Sequence, residues 1–155
     1  SLFRLRATGS TALFDSLAQL APHLARITGK KAILLFTDGE DTSSVLSMED
    51  SVRTIKRVGI PVYTVSQGLA LDSKLLLERL SEISEATGGV AFTIRNPEEI
   101  GEVFSAIVQD LKHLYLLGYY PPATINSNRQ GWRRIQVLVP RHKNMQVRAK
   151  GGYLP

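Results

Sequence analysis

The stretch Lys31-Ala-Ile-Leu-Leu-Phe-Thr-Asp-Gly-Glu-Asp-Thr-Ser-Ser44 decides the fold. From Ala32 to Phe36 the chain is apolar without interruption, and it then runs into a cluster of oxygen-bearing side chains. An unbroken apolar run of that length suits a parallel strand buried on both faces; a half-exposed strand would alternate. Gly39 breaks the strand and leaves the Asp38 carboxylate at its carboxyl end. Open α/β sheets place their ligands there.

Upstream, residues 1–9 read as a short amphipathic lead-in. The loop Thr8-Gly9-Ser10-Thr11 offers several N-caps to a helix with Leu13, Leu17, Leu20, Leu24 and Ile27 on one stripe. Pro22 is expected to kink or divide that helix, and Gly29 to close it. Downstream, Ser47 and Asp50 resemble a capping box, Val52 and Ile55 face inward, and Gly59 is a helix stop. Ile60–Ser66 is a second strand, with Pro61 tolerable near its start. Asp72 is the expected N-cap of a helix carrying Leu75, Leu76, Leu80 and Ile83, stopped by Gly88-Gly89. Val90–Ile94 is a third strand. Asn96-Pro-Glu-Glu99 opens a helix whose stripe is Ile100, Val103, Phe104, Ile107, Val108 and Leu111. Helix and strand alternate throughout, which predicts a parallel α/β sheet with right-handed crossovers.

After His113 the pattern changes. Tyr115–Tyr120 reads as a strand ended by Pro121-Pro122, and residues 123–131 as a polar loop. Trp132–Val139 and Met145–Lys150 are expected to pair as a hairpin across Pro140–Asn144. The chain therefore divides into an α/β part over 1–114 and an antiparallel β extension of the same domain over 115–155.

Composition narrows the chemistry. With 155 residues, 43% of them apolar, the chain suits one domain with a single packed core. It contains no cysteine, which excludes disulfides, thiolate metal sites and a cysteine nucleophile. No apolar run approaches the roughly 20 residues that span a bilayer. Residues 1–110 hold 11 Lys and Arg against 14 Asp and Glu, a balance of −3, whereas residues 111–155 hold 8 and none, a balance of +8. Basic residues on the solvent side of strands explain that asymmetry; a surface for an acidic partner is the alternative. Tyr115, Tyr119, Tyr120, Trp132 and Tyr153 sit in strand-like contexts and are expected to pack, so nucleic acid is not the expected partner. His23, His113 and His142 lie in three unrelated places, at the surface or at helix ends. No glycine-rich phosphate loop, Ser-His-Asp set or acid/base pair is present.

Two short motifs carry a resemblance. Gly9-Ser-Thr-Ala-Leu-Phe-Asp15 followed by Ile33-Leu-Leu-Phe-Thr-Asp-Gly39 resembles the second half of a von Willebrand factor type A domain. Tyr115-Leu-Leu-Gly-Tyr-Tyr-Pro121, Arg134-Ile-Gln-Val137 and Val147-Arg-Ala-Lys-Gly-Gly-Tyr153 are similar to the bacterial von Willebrand factor A-related group, of the kind found in acidobacteria. The resemblance implies a doubly wound, Rossmann-like sheet and a non-enzymatic, adhesion-type protein-interaction module, with a secreted or cell-envelope setting. It also implies a metal-ion-dependent adhesion site. There a divalent cation, usually magnesium, is held by an Asp-x-Ser-x-Ser motif on a first loop, a Thr on a second and an Asp on a third. The Thr corresponds to Thr11 and the third-loop Asp to Asp38, with Ser10, Gly39 and Glu40 as their outer neighbours. Magnesium favours hard oxygens and keeps several waters, so hydroxyls with one or two carboxylates suffice. An acidic group of the protein ligand completes the shell.

Asp-x-Ser-x-Ser is missing from this sequence; Asp41-Thr-Ser-Ser-Val45 fails at its last position and lies on a different loop. The chain is thus expected to be the C-terminal part of a longer domain, truncated at its N-terminus, with weak or no metal binding of its own. The strand at 32–37 would then be left as an apolar edge, inviting a sheet-extended or swapped homodimer. On Asp38-Gly-Glu-Asp41 alone the chain also resembles haloacid-dehalogenase-type magnesium phosphotransfer enzymes, which need Asp-x-Asp where Glu40 stands here.

Overall fold

A computed structural model describes residues 9–115, 117–120, 131, 133–140, 147–149 and 151–153. Its centre is a parallel sheet of three strands in the order β1 (Ile33–Thr37), β2 (Val62–Ser66) and β3 (Ala91–Thr93). Ile33 pairs with Val62 and Thr37 with Ser66, while Val65 pairs with Phe92. Four helices accompany the sheet: α1 (Leu13–Ala25), α2 (Met48–Val58), α3 (Lys74–Thr87) and α4 (Ile100–Lys112). Among the described residues, no helix is long and apolar enough to cross a membrane.

The two faces of the sheet are covered unequally. Ile33 and Val62 point to one face, where Leu13, Leu17 and Ala21 of α1, Val52 and Ile55 of α2, and Leu76, Leu80 and Ile83 of α3 close a single core. Tyr63 and Val65 point to the other, where α4 is the one helix among the described residues that packs, through Val103 and Ile107. The predicted strand at 32–36 is observed one residue later, and it is not sealed on both sides. Phe36, which pairs with Val65 on the α4 face, is 40% exposed. The apolar stripe of α4 is split for the same reason. Val103 and Ile107 are buried, but Ile100, Phe104 and Val108 are exposed, because among the described residues no second helix stands on this face to meet the other apolar row. Leu20, Ile27 and Leu75, expected on buried stripes, are also exposed.

Local chemistry sets most helix ends. Ser47 accepts the amide of Asp50 at 3.1 Å and starts α2, which Gly59 ends in the left-handed region. The expected cap at Asp72 is displaced by one residue: Asp72 closes a 3-10 turn over Gly68–Asp72, and Ser73 Oγ accepts from Leu76 N at 3.3 Å to start α3. Asn96 and Glu99 form a capping box, but it opens the 3-10 turn Pro97–Glu99 that leads into α4. α1 runs unbroken through Pro22. Gly88 caps α3, and at Gly89 any side chain is excluded, since a Cβ would lie 2.0 Å from the Val62 carbonyl oxygen. Two adjacent lysines brace the sheet from both sides. Lys31 Nζ donates to Leu24 O in the last turn of α1 and to Ile27 O just beyond it, and Lys30 Nζ to Leu111 O and Lys112 O at the end of α4.

The tail is antiparallel but in a different register from the expected hairpin. β4 (Arg133–Arg134) pairs with β5 (Gly152–Tyr153), extended by Ile135 N to Gly151 O at 3.0 Å. Among the described residues the partner is therefore 151–153 and not 147–149; Trp132, residues 141–146 and Lys150 of the expected hairpin lie outside the described residues. The described residues of Tyr115–Tyr120 form no strand. Tyr119 meets Tyr153 edge to face at 6.2 Å between ring centroids, and the Arg133 guanidinium lies over Tyr153. A second contact ties the tail to the parallel sheet. Tyr63, fully buried on β2, donates to Asp110 Oδ2 at 2.6 Å, and Arg148 pairs with Asp110 Oδ1. Burial pushes the Tyr63 phenol well above its ordinary value, with the hydrogen bond to Asp110 and that carboxylate's charge adding to it. Asp110 sits in the last turn of α4, where the helix dipole disfavours an acid; Arg148 and the phenol supply the compensation.

Candidate functional site

Parallel strands aim their carboxyl ends at one edge, and Asp38 is the first residue beyond β1 on that edge. Thr37 shapes the turn: its Oγ1 donates to Gly39 O at 2.7 Å and accepts Gly39 N at 3.3 Å. Asp38 lies beside the turn that follows β2, where a Cβ built on Gly68 would sit 3.8 Å from its own Cβ. Glu40 leans the same way and accepts from Ser73 Oγ, the cap of α3, at 2.8 Å.

On the other side of Asp38 the chain is stitched to the loop before α1. Thr11 N donates to Thr42 Oγ1 at 2.9 Å, and Thr11 O accepts from Thr42 N at 2.9 Å and Ser43 N at 3.1 Å. Asp41 Oδ2 accepts from Phe14 N at 2.9 Å and Ser44 Oγ at 2.5 Å; its Oδ1 accepts from Ser43 N and Ser44 N. The bonds also run in the opposite direction. Asp15 takes the amides of Val45 and Leu46 at 3.0 and 2.9 Å, and Asp15 N donates to Ser44 Oγ at 3.0 Å. The loops at 9–15 and 38–46 are one clasp.

This clasp replaces the expected cap of α1. The N-cap position falls on Ala12, which has no side-chain oxygen, so neither Ser10 nor Thr11 caps the helix. The open amides of the first turn are satisfied instead by Asp41 and Ser44, from about thirty residues away in sequence. Asp41 is therefore a structural anion. Its partial burial opposes the charge, but the hydrogen bond from Ser44 Oγ and the amides of Phe14, Ser44 and Leu13 outweigh it, and hold the carboxyl below the ordinary carboxylate range. Sequence did hold a hint: Asp41-Thr-Ser-Ser44 is dense in short side chains that compete for backbone amides. Their distant partners were not legible.

With these groups committed, the Thr11 hydroxyl and the Asp38 carboxylate are left without a partner among the described residues, as are the hydroxyls of Ser10 and Ser43. Both Thr11 and Asp38 are exposed. Ser10 is exposed next to Thr11. A hydroxyl and a carboxylate are hard donors of the kind magnesium takes, so the residues fit such a cation as far as they go; water and an outside carboxylate would have to supply the remaining positions. Among the described residues, no group of three or more His, Asp and Glu converges into a metal cage. His23 and His113 each turn Nδ1 to a carbonyl one turn back on their own helix, at the helix ends expected of them; His142 lies outside the described residues.

None of the curated proteins matches the chain. A family model does: the von Willebrand factor type A domain matches residues 7–106, from the Thr11 loop through the sheet and into α4. The motifs at Gly9–Asp15 and Ile33–Gly39, the three-stranded parallel sheet and the oxygen-lined strand end all fall within that span. The chain belongs to the von Willebrand factor type A domain family.

Proposed function

We propose that this chain is an adhesion-type protein-binding module whose recognition edge is the Thr11–Asp38 end of the sheet. Domains of this family generally mediate protein interaction or adhesion, commonly bind a divalent metal ion, and are typically not enzymes. Thr11 and Asp38 contribute this chain's share of a cation site, with magnesium as the cation, and an acidic group of the protein ligand completes the shell. The observation that carries this is the contrast within one loop pair: Asp15, Asp41, Thr42 and Ser44 are all hydrogen-bonded, while the Thr11 hydroxyl and Asp38 carboxylate have no partner among the described residues. The binding energy gained from magnesium stabilises the folded state by mass action. Thermal melts with and without about 10 mM magnesium should show a small rise for the wild type and none for Asp38→Asn. A rise that survives Asp38→Asn would sink the assignment.

The α/β part over 1–114 and the extension over 115–155 act as one domain, a reading supported by the Arg148–Asp110 pair and the Tyr63 hydrogen bond beneath it. The outer edge of β1 has no strand partner among the described residues, and Phe36 beside it is half-exposed. That favours a second copy pairing along residues 32–37, as a sheet-extended or swapped homodimer. Sedimentation at micromolar concentration tests it; a well-folded monomer would rule it out. A phosphotransfer activity draws no support from Asp41, whose two oxygens are taken up by four hydrogen bonds.

A further inference from the structure

We propose that Asp41 and Thr42 are positioning residues for the recognition edge. They sew the loop carrying Thr11 to the loop carrying Asp38, so that hydroxyl and carboxylate reach a cation from one rigid edge instead of two independent loops. The inference rests on the assignment of Thr11 and Asp38 as cation ligands.

The geometry is specific. Thr42 holds Thr11 at both ends of its backbone, accepting from its amide through Oγ1 and donating to its carbonyl, each at 2.9 Å. The Thr11 backbone cannot swing while Thr42 stays in place, and Thr42 lies only four positions beyond Asp38. Asp41 locks Thr42 from behind. It bonds the Phe14 amide at the start of α1 and the Ser43 and Ser44 amides on its own loop, so helix, loop and strand end move together. Asp15 closes the clasp from the helix side through Val45 and Leu46. Neither Asp41 nor Thr42 is a ligand in this scheme, since their oxygens are already bonded. Their contribution is preorganisation. A site with only two protein ligands gains little enthalpy from the chain, so any loop freedom lost on binding weighs heavily in the affinity. Magnesium's demand for near-octahedral geometry sharpens that dependence.

Manganese is a suitable probe, because it broadens nearby amide resonances without any need for activity. In the whole chain, the expected result is that manganese broadens the amides of Thr11 and Asp38 together, and that Asp38→Asn abolishes both effects. Thr42→Val keeps the backbone donor and removes only the Oγ1 acceptor. It should raise the concentration for half-maximal broadening about three- to tenfold, the equivalent of one hydrogen bond, and affect Thr11 more than Asp38. Asp41→Asn should do the same and also weaken exchange protection of the Phe14 amide; if it does not fold, Thr42→Val decides alone. Broadening in Thr42→Val that matches the wild type would overturn the positioning role and leave the ligand assignment standing. Absence of broadening at Thr11 and Asp38 in the wild type would overturn both.

Discussion

The two faces of the parallel sheet carry helices that each present an apolar stripe, and bury those stripes to different degrees. On one face, α1, α2 and α3 meet over Ile33 and Val62, and Ile55 at their centre is 0% exposed. On the other, α4 is the one helix among the described residues over Tyr63 and Val65, and Phe104 on its own apolar stripe is 51% exposed. Helical periodicity is the same in both places. What differs is whether a second surface stands opposite each apolar row. A stripe therefore states what a helix can bury, and its neighbours decide how much of it is buried.

The largest expected effect tests that contrast directly. Ile55→Ala should cost about 2–5 kcal/mol of unfolding free energy, from lost transfer and a cavity in a closed core. Phe104→Ala should cost under about 1 kcal/mol, since half its surface already meets solvent. Urea denaturation of both variants measures the difference. Equal losses would break the comparison and mean that the α4 face is covered in solution, as a second copy would cover it.

A middle-sized effect concerns the Tyr63–Asp110 hydrogen bond of the α4 face. Tyr63→Phe leaves the ring packed but removes the 2.6 Å donor to Asp110, which should cost about 1–2 kcal/mol. In an Asp110→Asn background the added cost should shrink, because the two residues act as one network. Strict additivity would detach the phenol from the ion pair and leave the tail's attachment to Arg148 alone.

The smallest effect sharpens the account of the other side of the molecule. Asp41 has its carboxyl held below the ordinary range, so it binds its proton less readily folded than unfolded. Its contribution is complete above about pH 4–5, where the unfolded carboxylate is ionised, and is lost as pH falls through the lower folded value. Acid titration of stability should show that loss in the wild type and a flatter profile in Asp41→Asn. Identical profiles would remove Asp41 from the clasp.

How much was legible varies by element. α2 was readable from end to end, because its cap at Ser47 and stop at Gly59 are local signals. The position of Asp38 at a strand end was equally plain, since an apolar run closed by Gly39 admits few other outcomes. α1 was readable as a helix but not in how it begins. Its first-turn amides are held by Asp41 and Ser44, and nothing within one turn of Ala12 announces that. The cap of α3 slipped from Asp72 to Ser73 because both residues can cap, and the 3-10 turn before the helix claims the first. In the tail, alternation was weak, and the partner of Arg133–Arg134 is Gly152–Tyr153 instead of the segment just across the turn.

The sequence by itself determined which segments are helices and strands in the α/β part, their order, and the oxygen-rich end of β1. These follow from periodicity and from caps a few residues apart, interactions that a linear pattern contains. Only the tertiary structure decided that α4 would leave Ile100, Phe104 and Val108 in solvent. It alone decided that Asp41 would be consumed in holding α1 while the Thr11 hydroxyl and the Asp38 carboxylate found no partner among the described residues, and that Arg148 would answer Asp110 across 38 positions. Each of these depends on which distant surfaces meet, and burial and hydrogen-bond satisfaction are properties of those meetings, not of any one segment.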